Sequence, residues 1–186
     1  RAVAGAVTFW TRDDEPALRQ VLAALERGEL DRVALALPAG MRWSLPLYEI
    51  ALMTQRRAVE RGADVKIAVI TPESAPLVVF GAQASAAVSE LLRARGIEVF
   101  PSSTVREPTE KGITMGPGNR ALGPAEVVAL PVMEGPAIDG LPTDERGFIP
   151  IDDHARVKGV EDVYAAGDGT TFPIKQGGLA TQQADA

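Results

Sequence analysis

Near the C-terminal end of the chain, Gly167 and Asp168 close the apolar run Val163-Tyr164-Ala165-Ala166. After a polar loop, Lys175, Gln176, Gly177 and Gly178 open a last segment of small residues. These types in this order suit a buried strand that stops at a bare backbone and offers one carboxylate at its tip. Asp168 can accept hydrogen bonds from sugar or polyol hydroxyls. A helix starting at the glycine pair would aim N–H donors and a partial positive charge at the same place. A hydroxyl-rich, partly anionic ligand fits that arrangement.

A second candidate pair lies earlier. The continuous apolar run VALAL at 33–37 reads as a strand buried on both faces. The turn Pro38-Ala39-Gly40-Met41-Arg42-Trp43-Ser44-Leu45-Pro46 follows, and then a helix to about Arg61 with Leu47, Ile50, Ala51, Thr54 and Ala58 on one face. Gly62 ends it, and the run VKIAVI at 65–70 gives the next strand. That is a βαβ unit. Glu73 stands just past its second strand, where a dinucleotide-binding fold holds a ribose hydroxyl. The first turn has Gly40 alone in place of three glycines, beside bulky Met41, Arg42 and Trp43, so a pyrophosphate has less room than usual. Two readings stay open: a nucleotide site at Gly40 and Glu73, or a βαβ unit that binds nothing.

The elements around these residues define an α/β plan. Asp13-Asp14-Glu15-Pro16 has the composition of a helix start, and Leu18, Val21, Leu22 and Leu25 recur at helical spacing before Arg27-Gly28. Val3 to Phe9 is a short strand or a linker. A third helix is expected at 83–95, with Ala84, Ala87, Val88 and Leu91 on one face, followed by a strand at 97–100. Thr104 to Glu107 and Ile113 to Met115 read as a hairpin about Lys111-Gly112, with a second turn at 116–119. EVVAL at 126–130 is again a buried strand. The Gly- and Pro-rich stretch after Pro131 marks a boundary. Gly147 to Asp152 is an edge-type strand because Pro150 cannot donate to a ladder. His154 lies in a polar turn and receives no role.

Composition narrows the function. The chain has 186 residues, 46% of them hydrophobic, and a net charge of −6 with no Lys/Arg cluster, which argues against nucleic acid as a partner. There is no cysteine, so thiol–disulfide chemistry and thiolate metal sites are excluded within these residues. No apolar run approaches the roughly 20 residues of a membrane helix. A cytoplasmic location is expected. The chain opens on Arg1, which together with the late position of the Gly167-Asp168 motif reads as a piece of a larger protein.

The segments GFIPIDDHARV, VEDVYAAGD and FPIKQGG between 147 and 178 resemble the closing part of the FAD-dependent pyridine nucleotide–disulfide oxidoreductase superfamily. The KQGG ending and the turn PAGMRWSLPLYE are most similar to its NADH:quinone and sulfide:quinone oxidoreductase branch. The resemblance implies a Rossmann-like parallel sheet flanked by helices with a small antiparallel excursion, plus part of a second, FAD-binding domain. It implies a lead-in at 1–31, an inserted NAD(P)-binding domain at 32–132 and a returning FAD-domain segment at 133–186. Asp168 would bind the ribityl or phosphate region of FAD, with Gly167 letting the backbone approach. Lys175, Gln176, Gly177 and Gly178 would lie beside the flavin ring. Glu73 would favour NADH, with Gly40 in the nucleotide turn.

The implied activity of the parent is hydride transfer from NAD(P)H to FAD and on to a quinone-like or other acceptor. The alternative is a Rossmann-like scaffold that takes no nicotinamide, in a flavoprotein with another donor such as sulfide. The family's N-terminal G-x-G-x-x-G and cysteine pair are not in this sequence, and Glu126 stands where the family has Asp. On this comparison the chain alone is expected to be inactive and to keep no FAD, its partner being the absent N-terminal part of the FAD domain. Its C-terminal segment would pack against a second copy, as a homodimer, or across its own inserted domain.

Overall fold

The computed structural model describes residues 3–41, 43–109 and 111–185. It divides into two compact units, Arg1–Val132 and Met133–Ala186.

In the first unit, five strands form an all-parallel sheet. They are β1 (Val7–Thr8), β2 (Arg32–Ala36), β3 (Lys66–Ile70), β4 (Glu98–Phe100) and, last in sequence, β8 (Glu126–Ala129), in the order β1-β8-β2-β3-β4. Central β2 pairs with β3 from Arg32↔Lys66 to Ala36↔Ile70, and with β8 on its other side. Val33 to Leu37 are no more than 1% exposed, as a strand covered on both faces requires.

The two faces have different covers. Val33, Leu35, Leu37, Ile67, Val69, Val128 and Leu130 point to one side, into the layer formed by α1 (Glu15–Glu26), α2 (Leu45–Arg61) and α3 (Ala82–Ala94). Ala34, Ala36, Ala68, Ile70, Val127 and Ala129 point to the other, where Ile113, Met115 and Leu122 cover them. Those three come from the antiparallel sheet of β5 (Thr104–Thr109), β6 (Gly112–Gly116) and β7 (Arg120–Leu122). The excursion expected from the turn residues is therefore a layer of the core. Four alanines on that face let it sit close to the parallel sheet.

Two sequence expectations need correction. The buried residues of α3 are Ser85 and Leu92, with Val88 packed behind them, while Leu91 is exposed. The inner stripe is rotated toward Ser85, which is buried, and the Ser89 hydroxyl satisfies itself by donating to the Ser85 carbonyl at 2.7 Å. Hydrophobicity alone picks the alanine-rich face instead.

The run at 163–166 is not a buried strand. It makes a single bridge, Arg156↔Tyr164, and Tyr164 is 60% exposed. Val163 and Ala165 pack against the second unit's own small cluster of Ile149, Ile151 and Val157. A strand buried on both faces needs a layer on each, and this cluster supplies one. Gly147 to Asp152 likewise makes only the isolated bridges Ile149↔Thr170 and Ile151↔Val157. The final helix, α4 (Gly177–Asp185), has no buried residue. Among the described residues, no helix is long and apolar enough to cross a membrane.

Candidate functional site

In the first unit the candidate residues stand where β2 ends. The strand order reverses here: β3 and β4 lie to one side of β2, β8 and β1 to the other, and ligands of such sheets enter at this point. Gly40 takes φ +79°, the left-handed backbone that the turn after Pro38 requires. Arg42 lies outside the described residues. Trp43 is 6% exposed and meets Phe80 edge-on, ring centroids 5.7 Å apart. Trp43 is thus folded into the protein, and Met41 packs in part against the core.

Ser44 precedes the first turn of α2 as its N-cap but makes no side-chain cap bond. Its hydroxyl donates instead to Oε1 of Glu73 at 2.7 Å. One turn into α2, the Tyr48 hydroxyl donates to Oε2 of the same carboxylate at 2.6 Å, and Thr71 Oγ1 donates to it at 3.0 Å. Tyr48 is 1% exposed and Thr71 fully buried. The backbone of Glu73 is held too: its N–H donates to Thr71 Oγ1 and its carbonyl accepts from Ser102 at 2.7 Å. Burial, and after it the hydrogen bond and charge of Glu73, push the Tyr48 phenol far above its usual range, so the hydroxyl stays a donor.

A carboxylate has about four acceptor sites, and three of those on Glu73 are committed to the fold. Pro46 falls in the first turn of α2 and lacks an N–H. At the end of α2 where a dinucleotide fold places its phosphates, the protein sets its own anion and one fewer donor.

The second unit differs. Gly167 has φ +82°, and its carbonyl accepts from Thr170 N–H at 3.1 Å and from the Thr170 hydroxyl at 2.8 Å, closing a tight turn. Asp168 lies exposed on that turn, and among the described residues its carboxylate makes no hydrogen bond or ion pair. The N–H of Gly167 donates to Gln183 Oε1 at 2.9 Å, and a Cβ at Gly167 would stand 3.2 Å from that of Ala180. Gly167 is thus where α4 lies against the turn.

Lys175 is 3% exposed, with its ammonium 4.5 Å from the centre of the Phe148 ring and donating to the Thr170 carbonyl. Gln176 caps α4 through Oε1, which accepts from Leu179 N–H at 2.8 Å. Gly178 makes room for that cap, because a Cβ there would come within 3.2 Å of both terminal atoms of the amide, whereas Gly177 faces open space.

Thus Glu73 joins Ser44, Tyr48 and Thr71, while Gly167 joins α4 through Ala180 and Gln183. Sequence reading overlooked Ser44 and Tyr48, although their i,i+4 spacing on a helix start was a usable signal. It also overlooked Phe148 and Thr170, which hold Lys175 and have no local signature.

Fold and site together define a Rossmann-like α/β architecture followed by a glycine turn that carries an exposed carboxylate. The sequence pattern of the pyridine nucleotide-disulphide oxidoreductase family matches residues 49–184, and the chain belongs to that family. No curated protein sequence matches the chain.

Among solved structures, it is similar to the sulfide:quinone oxidoreductase of the hyperthermophilic bacterium Aquifex aeolicus. The TM-score is 0.73 at 18% identity, over 99% of this chain and 50% of that one. It is also similar to an engineered water-forming NADPH oxidase bound to NADPH (0.60, 16%, 97% and 40%) and to reduced Bacillus anthracis CoADR-RHD (0.63, 13%, 97% and 32%). The chain therefore spans half or less of the length of each of these structures.

Proposed function

We propose that this chain is part of an FAD-dependent oxidoreductase in which residues 32–132 form a scaffold whose nucleotide turn is closed. The electron donor would be something other than NAD(P)H, sulfide being the example that the Aquifex enzyme's name offers. One observation carries this reading: Glu73 is held by Ser44, Tyr48 and Thr71. Accepting from a ribose would require it to release one of them or to use its last free site. Releasing Tyr48 leaves a buried hydroxyl unpaired, at about 1–3 kcal/mol. The reading in which NAD(P)H binds at Gly40 and Glu73 and passes a hydride to FAD must meet that cost.

Asp168 fits one part of a flavin nucleotide, since its acceptors are available in a tight glycine turn. In this proposal it takes a ribityl hydroxyl and Gly167 admits the backbone. Lys175, Gln176, Gly177 and Gly178 shape the start of α4 beside the flavin. Polypeptide outside these residues completes the site. The flavin, when bound, supplies the electron-transfer chemistry toward a quinone-like acceptor, while the protein binds and orients it.

Calorimetric titration of the folded chain with NADH tests the proposal. The expected result is no saturable heat up to about 1 mM, so that any site is weaker than about 4 kcal/mol of binding free energy. Saturable binding in the micromolar range, lost in Glu73→Ala, would return the domain to the nicotinamide reading.

A further inference from the structure

Asp139 and Asp168 are each followed by glycine, and these are the chain's two Asp-Gly pairs. Such a pair is open to attack of the backbone on the neighbouring carboxyl, because glycine has no side chain to shield its nitrogen. Both pairs lie in the second unit, at the two central positions of a β-turn. Leu141 N–H donates to the Ile138 carbonyl at 3.2 Å across one turn, and Thr170 N–H to the Gly167 carbonyl at 3.1 Å across the other. Both carboxylates are exposed and, among the described residues, make no hydrogen bond or ion pair. The same chemistry thus stands in two mechanical settings.

At Asp168 the turn is pinned at both ends. Gly167 donates to Gln183 Oε1, and its carbonyl also accepts from the Thr170 hydroxyl. The Gly169 carbonyl accepts from Ile149 N–H at 2.9 Å, and the buried Lys175 ammonium donates to the Thr170 carbonyl. A Cβ at Gly169 would stand 3.2 Å from the Pro136 ring. At Asp139 the Leu141 bond alone, among the described residues, closes the turn. Gly140 has φ +82°, is exposed, and would meet nothing within 4 Å if it carried a Cβ. Neither its N–H nor its carbonyl is hydrogen-bonded among the described residues.

We propose that Asp139–Gly140 is a site of spontaneous isomerisation and that the fold protects Asp168–Gly169 from the same reaction. The Gly140 nitrogen attacks Cγ of the protonated Asp139 carboxyl; a C–N bond forms, a C–O bond breaks, and water leaves. Water then opens the five-membered imide at either carbonyl, giving back aspartate or a β-linked isoaspartate. Atoms and electrons balance, and the isoaspartate adds one methylene to the main chain. Closing the ring requires the peptide between the two residues to rotate, which the lone bond at Asp139 permits. At Asp168 the same rotation works against the bonds held by Gly167, Gly169 and Thr170 together. Isomerisation there would draw the side-chain carboxyl carbon into the backbone and displace the free carboxylate. Neither rate in the free chain depends on what Asp168 binds.

Tryptic peptides 121–146 and 159–175 carry one pair each, so mass-spectrometric fragmentation that separates isoaspartate from aspartate reads both. The full chain is incubated at about 37 °C and pH about 7.4 for about two weeks before digestion. Isoaspartate at 139 should exceed that at 168 by about tenfold or more. In about 6 M urea the two should come within about threefold of each other, because the turns are gone. Gln183→Ala releases the Gly167 N–H and should raise isoaspartate at 168 while leaving 139 unchanged. Equal rates at the two pairs in the folded chain, or no isoaspartate at 139, overturn the inference. A difference that persists in urea also overturns it, since neighbouring side chains and not the fold would then set the rates. No rise at 168 in Gln183→Ala removes the protective role of the pinned turn.

Discussion

Two carboxylates, Glu73 and Asp168, have the chemistry to hold a sugar or polyol hydroxyl, and their surroundings separate them. Glu73 accepts from three hydroxyls of its own chain, whereas Asp168 stands on an exposed turn with its acceptors open. The first is a part of the fold, and the second is available to a ligand. Replacing Glu73 therefore bears on stability. Glu73→Ala leaves the Tyr48 hydroxyl, 1% exposed, without its acceptor and should cost about 1–3 kcal/mol in urea unfolding. Glu73→Gln keeps one carbonyl acceptor and should lose clearly less. Equal stability of Glu73→Ala and the parent chain would show that the network contributes nothing. None of this was visible in composition: Glu73 was read for its place after a strand, and what it touches comes from α2, 25 and 29 residues away.

The elements that build the sites were legible to different degrees. Strands β2, β3 and β8 were plain as continuous apolar runs, because a parallel strand covered on both faces has nowhere to place a polar side chain. Helix α2 was plain from its spacing and from Gly62, which ends it at φ +66°. The inner face of α3 differs from the expected one, since Ser85 and Ser89 on it read as polar, and the Ser89 hydroxyl is satisfied locally by the Ser85 carbonyl. At α4 the glycines make opposite contributions. Gly177 meets nothing, so Gly177→Ala should raise helix stability by up to about 1 kcal/mol. Gly178→Ala should gain less or lose, because its methyl displaces the Gln176 cap. Hydrogen exchange of the α4 amides reads both, and identical behaviour of the two variants would contradict the capping role.

At the scale of the molecule, the chain holds two units of unequal build. The first has a parallel sheet with apolar clusters on both faces, and the second has a small cluster of Ile149, Ile151 and Val157, with Phe148 buried beside Lys175. A core that small gives little protection. Amides of Leu35, Val69 and Val128 should therefore exchange orders of magnitude more slowly than those of residues 149–171. Comparable protection in the two units would sink that expectation. The same disparity explains why the run at 163–166 forms no regular strand in this chain.

The sequence by itself determined the α/β class, the family, the order of elements and the positions of the candidate ligands. These rest on local chemistry: periodicity of apolar side chains, glycines where φ must be positive, and a motif whose residues are adjacent in the chain. Only the tertiary structure decided what those candidates are free to do. Whether a carboxylate is open to a ligand depends on donors brought to it from distant segments. At Glu73 the start of α2 brings two and neighbouring Thr71 adds a third, and at Asp168, among the described residues, packing brings none.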